Sequence, residues 1–94
     1  MPYAFCTLSL KLHFCENLKQ KRSVISALLT KLKKYNLSVI ESDHQDSLTQ
    51  IELKMVLIRA NNKLLDQEFN NLIEIFEKDF PNLELFGFEK EIYI

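Results

Sequence analysis

From Tyr3 to Phe14 apolar and polar side chains alternate, with Ala4, Cys6, Leu8, Leu10, Leu12 and Phe14 on one side and Thr7, Ser9, Lys11 and His13 on the other. A period of two is that of a half-buried strand, so the segment is read as the first strand. Asn17 then stands before Leu18, with Gln20 three residues later, the pairing of a capping box at a helix start. Leu18, Ile25, Leu28, Leu29 and Leu32, flanked by Val24 and Tyr35, recur at helical spacing and predict a helix to about Tyr35, ended by Asn36. Ser38 to Asp43 reads as a second strand through Val39 and Ile40, and the polar run Asp43 to Ser47 as a turn. Alternation resumes with Thr49, Ile51, Leu53, Met55 and Leu57 against Gln50, Glu52, Lys54, Val56 and Ile58, a third strand. Asn61 and Asn62 cap a second helix with the stripe Leu65, Phe69, Leu72, Ile73, Phe76 and Phe80, terminated by Pro81 and Asn82. Leu83 to Ile94 is extended again, and Gly87 sits where the alternation changes phase, which predicts a bulge.

The order β-α-β-β-α-β is the split βαβ arrangement, an α+β fold. It places two helices on one face of a four-stranded antiparallel sheet in the order 4-1-3-2 and leaves the other face to solvent or a partner. Residues 1–94 form one domain, since 94 residues with 47% hydrophobic and 27% charged side chains suffice for a single core. One glycine and two prolines leave no Gly-rich loop to cradle a nucleotide, so no cofactor is expected. Cys6 and Cys15, nine positions apart on what reads as one extended strand, are held too far apart to pair. The apolar run Tyr3 to Leu10 is broken by Thr7 and Ser9 and has no basic residue before it, unlike a secretory signal or membrane span. A cytoplasmic protein with reduced thiols and no membrane association is the expectation.

The net charge of −1 conceals two unlike helices. Residues 17–36 carry Lys19, Lys21, Arg22, Lys31, Lys33 and Lys34 with no acid, whereas residues 62–79 set Lys63 and Lys78 against Asp66, Glu68, Glu74, Glu77 and Asp79. Such a run is ordinarily a solvated helix face; its functional alternative is a surface for phosphate.

Leu18-Lys19-Gln20-Lys21-Arg22-Ser23-Val24, after a strand and opening a helix, resembles the Ser-Leu-Lys-x-Lys-Arg-x-Val signature of the YlxP-like family of small bacterial proteins. Ser38-Val39, the turn Asp43-His44-Gln45-Asp46 and the closing Glu89-Lys90-Glu91-Ile92 are also similar to that family. Asn17 stands where the signature has Ser, and Ser47-Leu48-Thr49 replaces a Leu-Trp-Gln stretch. The resemblance implies a ferredoxin-like fold, a link to translation or ribosome maturation, and no catalytic residues.

The expected topology brings His13, Lys19, Lys21 and Arg22 to the same end as Asp43, His44, Gln45 and Asp46. Lys21 falls on the apolar stripe between Ile25 and Leu28, where an ammonium must snorkel or find a carboxylate. The structural reading is a tie from Lys21 or Arg22 to Asp43 or Asp46 that holds the turn to the helix. The functional reading is a helix N-terminus offering cations and free N–H groups to phosphate. A metal bound by Asp43, His44 and Asp46 fits no stereotyped loop, and the neighbouring cations compete with it, so no metal is expected. His13 and Cys15 lack a third group and an oxyanion site, and no enzyme is expected.

On the open sheet face Tyr3 and Phe5 are expected beside Val56 and Ile58. This apolar patch favours a homodimer over base stacking, since the third strand offers no aromatic. Two functions fit these features. The first is a non-enzymatic protein associated with the ribosome or RNA, contacting phosphate through Lys19, Lys21, Arg22, Lys31, Lys33 and Lys34, with no DNA partner. The alternative is a dimeric protein-interaction or small-ligand-binding module that works through its open sheet face.

Overall fold

The computed structural model describes residues 1–94. Its elements are β1 (Tyr3–Leu12), α1 (Leu18–Lys33), β2 (Ser38–Asp43), β3 (Gln50–Ile58), α2 (Asn62–Asp79) and β4 (Leu83–Tyr93). The sheet order β2-β3-β1-β4, antiparallel throughout, is the expected 4-1-3-2 read from the other edge. The fold is ferredoxin-like.

Alternation fixes which face is buried. Ala4, Cys6, Leu8, Leu10 and Leu12 of β1 and Ile51, Leu53, Met55 and Leu57 of β3 pack beneath the helices. They meet Ile25, Leu28 and Leu32 of α1 and Leu65, Phe69, Leu72, Ile75 and Phe76 of α2. Both helices start as their caps dictate. Asn17 accepts from the Gln20 N–H at 2.9 Å, and the Gln20 side chain in turn accepts from the Glu16 N–H at 2.9 Å. Asn61 accepts from the Leu64 N–H at 2.9 Å. After α1, Asn36 takes the left-handed conformation (φ 56°) that Asn tolerates at a helix end.

Four local expectations change. β1 stops at Leu12, two residues early, because its last N–H groups leave the ladder: Leu12 donates to the Thr49 carbonyl at 2.7 Å and His13 to that of Asn82 at 2.9 Å. Phe14 then turns left-handed (φ 62°), so its side chain, expected on the core face, is 90% exposed. Cys15 lies beyond the strand, so extended-strand spacing does not govern its distance from Cys6; both thiols are free. On α2, Ile75 enters the core while Ile73 is half-buried. The two flank the same stripe: Ile75 lies on the side of Tyr35, and Ile73 lies beside Leu83 and Leu85 near the β4 edge. The bulge forms as expected. Ser9 pairs with Gly87 and Leu10 with Leu85, which leaves Phe86 unpaired. A Cβ on Gly87 would stand 3.2 Å from the Ser9 Cβ, so the bulge uses glycine for close approach.

The end of the domain opposite the α1 N-terminus is closed by Arg59. Its guanidinium donates to the carbonyls of Tyr35 (2.5 Å), Asn36 (3.2 Å) and Ile58 (2.7 Å) and lies 3.4 Å from the Glu68 carboxylate. One planar fork thus joins the α1–β2 turn, the end of β3 and α2. Arg59→Met is expected to destabilise the fold by about 2–4 kcal/mol in urea unfolding, because Glu68, 16% exposed, loses its partner along with three carbonyls. Arg59→Lys should recover less than half of that loss, since an ammonium lacks the fork geometry. Wild-type stability in the Met variant would contradict this role.

Candidate functional site

The exposed side of α1 forms an open groove against the end of α2. It is lined by Lys19, Arg22, Lys31 and Lys34, by the hydroxyls of Ser23, Ser26 and Thr30, and by Ala27, Asp79 and Phe80. The spacing explains the grouping, because positions 19, 22, 23, 26, 30, 31 and 34 recur at intervals that keep one face of a helix. Asp79 is the one acid there, 3.2 Å from Lys31, and both side chains are over a third exposed. Such a pair is worth little and leaves Lys31 able to exchange partners. The cations nearest the start of α1 oppose its dipole, which favours negative charge at that end, and the first turn holds no acid.

Two of the six cations expected to form a phosphate surface fall outside the groove. Lys33 does not line it. Lys21 is 1% exposed, the one buried charged residue of the chain. Its ammonium donates to the His44 carbonyl at 2.5 Å and lies 3.7 Å from Glu41 Oε2. The expected tie between helix and turn exists, but its carboxylate belongs to Glu41 of β2, in place of Asp43 or Asp46. The signal was in the alternation, since Glu41 is two residues from the buried Val39 and so starts on the same face. Glu41 Oε2 is buried and accepts no hydrogen bond, so Lys21 is its charge partner.

The turn itself is locally ordered. His44 is left-handed (φ 64°), its N–H donates to Asp43 Oδ1 at 2.8 Å, and its carbonyl also accepts from the Ser47 N–H at 3.0 Å. Gln45 donates to the Glu41 carbonyl at 3.4 Å, and Asp46 is exposed. The ligand-type donors that come together are those of Asp43, His44 and Glu52, within 4.8 Å of one another; Asp46 is replaced by Glu52 of β3. Glu52 is the cross-strand partner of Asp43, a relation set by the bulge at Ser42. Its carboxylate accepts from the Ser42 hydroxyl at 2.8 Å and has Lys54 at 4.0 Å. His13 is drawn away from this turn, its Nε2 lying 3.1 Å from Glu84 of β4. The Cys15 thiol donates to the Asn17 carbonyl. Burial pushes the Cys6 thiol up to about 11, with nearby Lys90 opposing the rise, so at neutral pH it is a protonated core group.

The second surface is the open sheet face. Tyr3, Phe5, Val56 and Ile58 are adjacent there as expected, paired Tyr3 with Ile58 and Phe5 with Val56, each 37–52% exposed. Tyr93 and Ile40 extend the patch. The Tyr93 ring stacks on Tyr3 at 5.0 Å, and Ile40 is 62% exposed. Which side of β4 Tyr93 occupies depends on the single-residue slip at Phe86, a detail that the alternation of β4 alone does not fix.

Lys21 provides a direct test of the division between structure and surface. Lys21→Met keeps the stem but strands Glu41, whose side chain is 19% exposed, and removes a donor from the His44 carbonyl. A loss of about 2–4 kcal/mol is expected in denaturant unfolding. Adding Glu41→Gln should return part of it, because the unpaired charge is then gone. Unchanged stability in the single variant would show that the buried ammonium is not a tie.

Against known proteins, the likeness of fold is broad and that of sequence narrow. The chain is similar to a de novo designed protein, Foldit4, with a TM-score of 0.58 and 9% identity over 98% of this chain and 97% of that one. It is likewise similar to a dimeric ferredoxin-like protein from an uncultured marine organism, with a TM-score of 0.57 and 6% identity over 100% and 97%. No curated protein matches it. The family model that does match is DUF503, described as a protein of unknown function, and the match runs over residues 4–90, through all six elements. The chain belongs to the DUF503 family.

Proposed function

We propose that the protein is a non-enzymatic, cytoplasmic accessory factor that binds a phosphate-bearing chain, RNA or the ribosome, along the exposed groove of α1. The observation that carries this reading is the groove's lining: four cations and three hydroxyls against one acid, in a molecule whose net charge is −1. Lys19 and Arg22 stand where the helix dipole disfavours cations, a cost that a bound phosphate would offset. The likeness of Leu18 to Val24 to the YlxP-like signature supports the link to translation. Lys21, which interrupts that basic run, serves the fold instead.

A second reading rests on a different surface. The apolar patch around Tyr3, Phe5, Val56 and Ile58 is of the kind that protein partners cover, and one solved relative of the same fold is described as dimeric. The two readings are compatible, because the patch and the groove lie on opposite layers.

The groove is tested by binding of a short oligouridylate at two salt concentrations. Arg22→Glu with Lys34→Glu is expected to lower affinity at least about tenfold in low salt and to flatten the salt slope by roughly one to two units. Stability should stay within about 1 kcal/mol of wild type, since an acid near the start of α1 gains from the dipole what one at its end loses. Wild-type binding by this variant, or wild-type binding that ignores salt, would contradict the proposal.

A further inference from the structure

The strand register gives the open face as rows. Across β2-β3-β1-β4, the row through Phe5 reads Ser38, Val56, Phe5, Glu91, and the row through Thr7 reads Ile40, Lys54, Thr7, Glu89. The row through Tyr3 reads Ile58, Tyr3, Tyr93. In these three rows the apolar side chains centre on β3 and β1, the acids lie on β4, and the only cation, Lys54, lies on the β2 side of the midline.

We infer that the protein forms a homodimer by stacking these faces about a two-fold axis that runs parallel to the strands, between β1 and β3. This rests on the reading of the face as a protein-contact surface and fixes both its occupant and its arrangement. The operation exchanges left and right within each row and keeps every row on itself. Phe5 then packs on Val56 of the second copy and Tyr3 on its Ile58, each contact made twice, as in any isologous interface. Lys54, which has Glu52 of its own strand at 4.0 Å, comes over Thr7 of the second copy, beside Glu89, so a cation of each face meets an acid of the other. The same operation sets Glu89 opposite Ile40, with Lys54 of the second copy as its neighbour in the row, whereas an in-plane axis across the strands, through the Phe5 row, would press Lys54 on Ile58 and Glu89 on Tyr93 with no opposite charge beside either.

The area fits a second copy held with moderate affinity. Four strands about 4.8 Å apart, of 10, 6, 9 and 11 residues, present at most roughly 20 Å by 30 Å, under the ~800 Å² per partner of a standard interface. A dissociation constant in the micromolar range is expected. The two α1 grooves would face outward from opposite sides of the pair.

Sedimentation equilibrium of the full chain up to about 500 µM tests this, with folding of each variant checked by circular dichroism. Wild type should show a monomer–dimer equilibrium, weakened at least about tenfold by Phe5→Glu. Lys54→Glu and Glu89→Lys should each weaken it about fivefold or more, while an equimolar mixture of the two single variants should associate as well as wild type. A dimer that Phe5→Glu disrupts but whose charge variants show no such complementation would overturn the two-fold arrangement and leave the sheet face as the contact. A monomer at all concentrations, or a dimer indifferent to Phe5→Glu, would overturn self-association through this face altogether.

Discussion

The buried ammonium of Lys21 joins α1 to the β2–β3 hairpin. It sits on the core face of α1, reaches across to the carbonyl of His44, and faces the carboxylate of Glu41. Taking an ammonium out of water is costly unless it is both paired and hydrogen-bonded, and here it is both. The consequence is positional. The first two turns of α1 are fixed against the β2–β3 hairpin, and the basic face of the helix is thereby aimed away from the sheet. A run of cations that looks continuous along the chain is divided by this one residue into a structural member and a solvent-facing groove.

The architecture leaves two open surfaces, and they differ in kind. The groove on the helical layer is polar, cationic and open, suited to a chain of phosphates whose recognition is mostly electrostatic. The sheet face on the other layer is apolar in its centre and charged at its flanks, suited to contact with protein. Because one lies on each layer, a partner on either leaves the other accessible. The DUF503 match over residues 4–90 takes in the whole α1 groove and, of the sheet patch, Phe5, Ile40, Val56 and Ile58.

The period of two in β1 and β3, the stripes of α1 and α2, and the two Asn caps were legible because each is a local pattern with a local cause. So were the bulge at Gly87 and the apolar character of the open face. What could not be read depends on relations between segments. Glu41 rather than Asp43 or Asp46 faces Lys21 because β2 lies against α1 with Val39 and Glu41 inward. His13 turns to Glu84 because β4 lies beside β1 at that end, and Glu52 joins Asp43 through a bulge at Ser42. Phe14 leaves the core because the ladder runs out of partners at Leu12, although its alternation continues in sequence.

The central claim is that the outward face of α1, and not the buried side of the same helix or the sheet, receives a polyanion. A titration of the isotopically labelled protein with oligouridylate, followed by backbone amide shifts, addresses it residue by residue. The account predicts salt-sensitive shifts that cluster at Lys19, Arg22, Ser23, Ser26, Ala27, Thr30, Lys31 and Lys34. Shifts centred instead on Phe5, Val56 and Tyr93 of the sheet face, or no shifts at low salt, would contradict it.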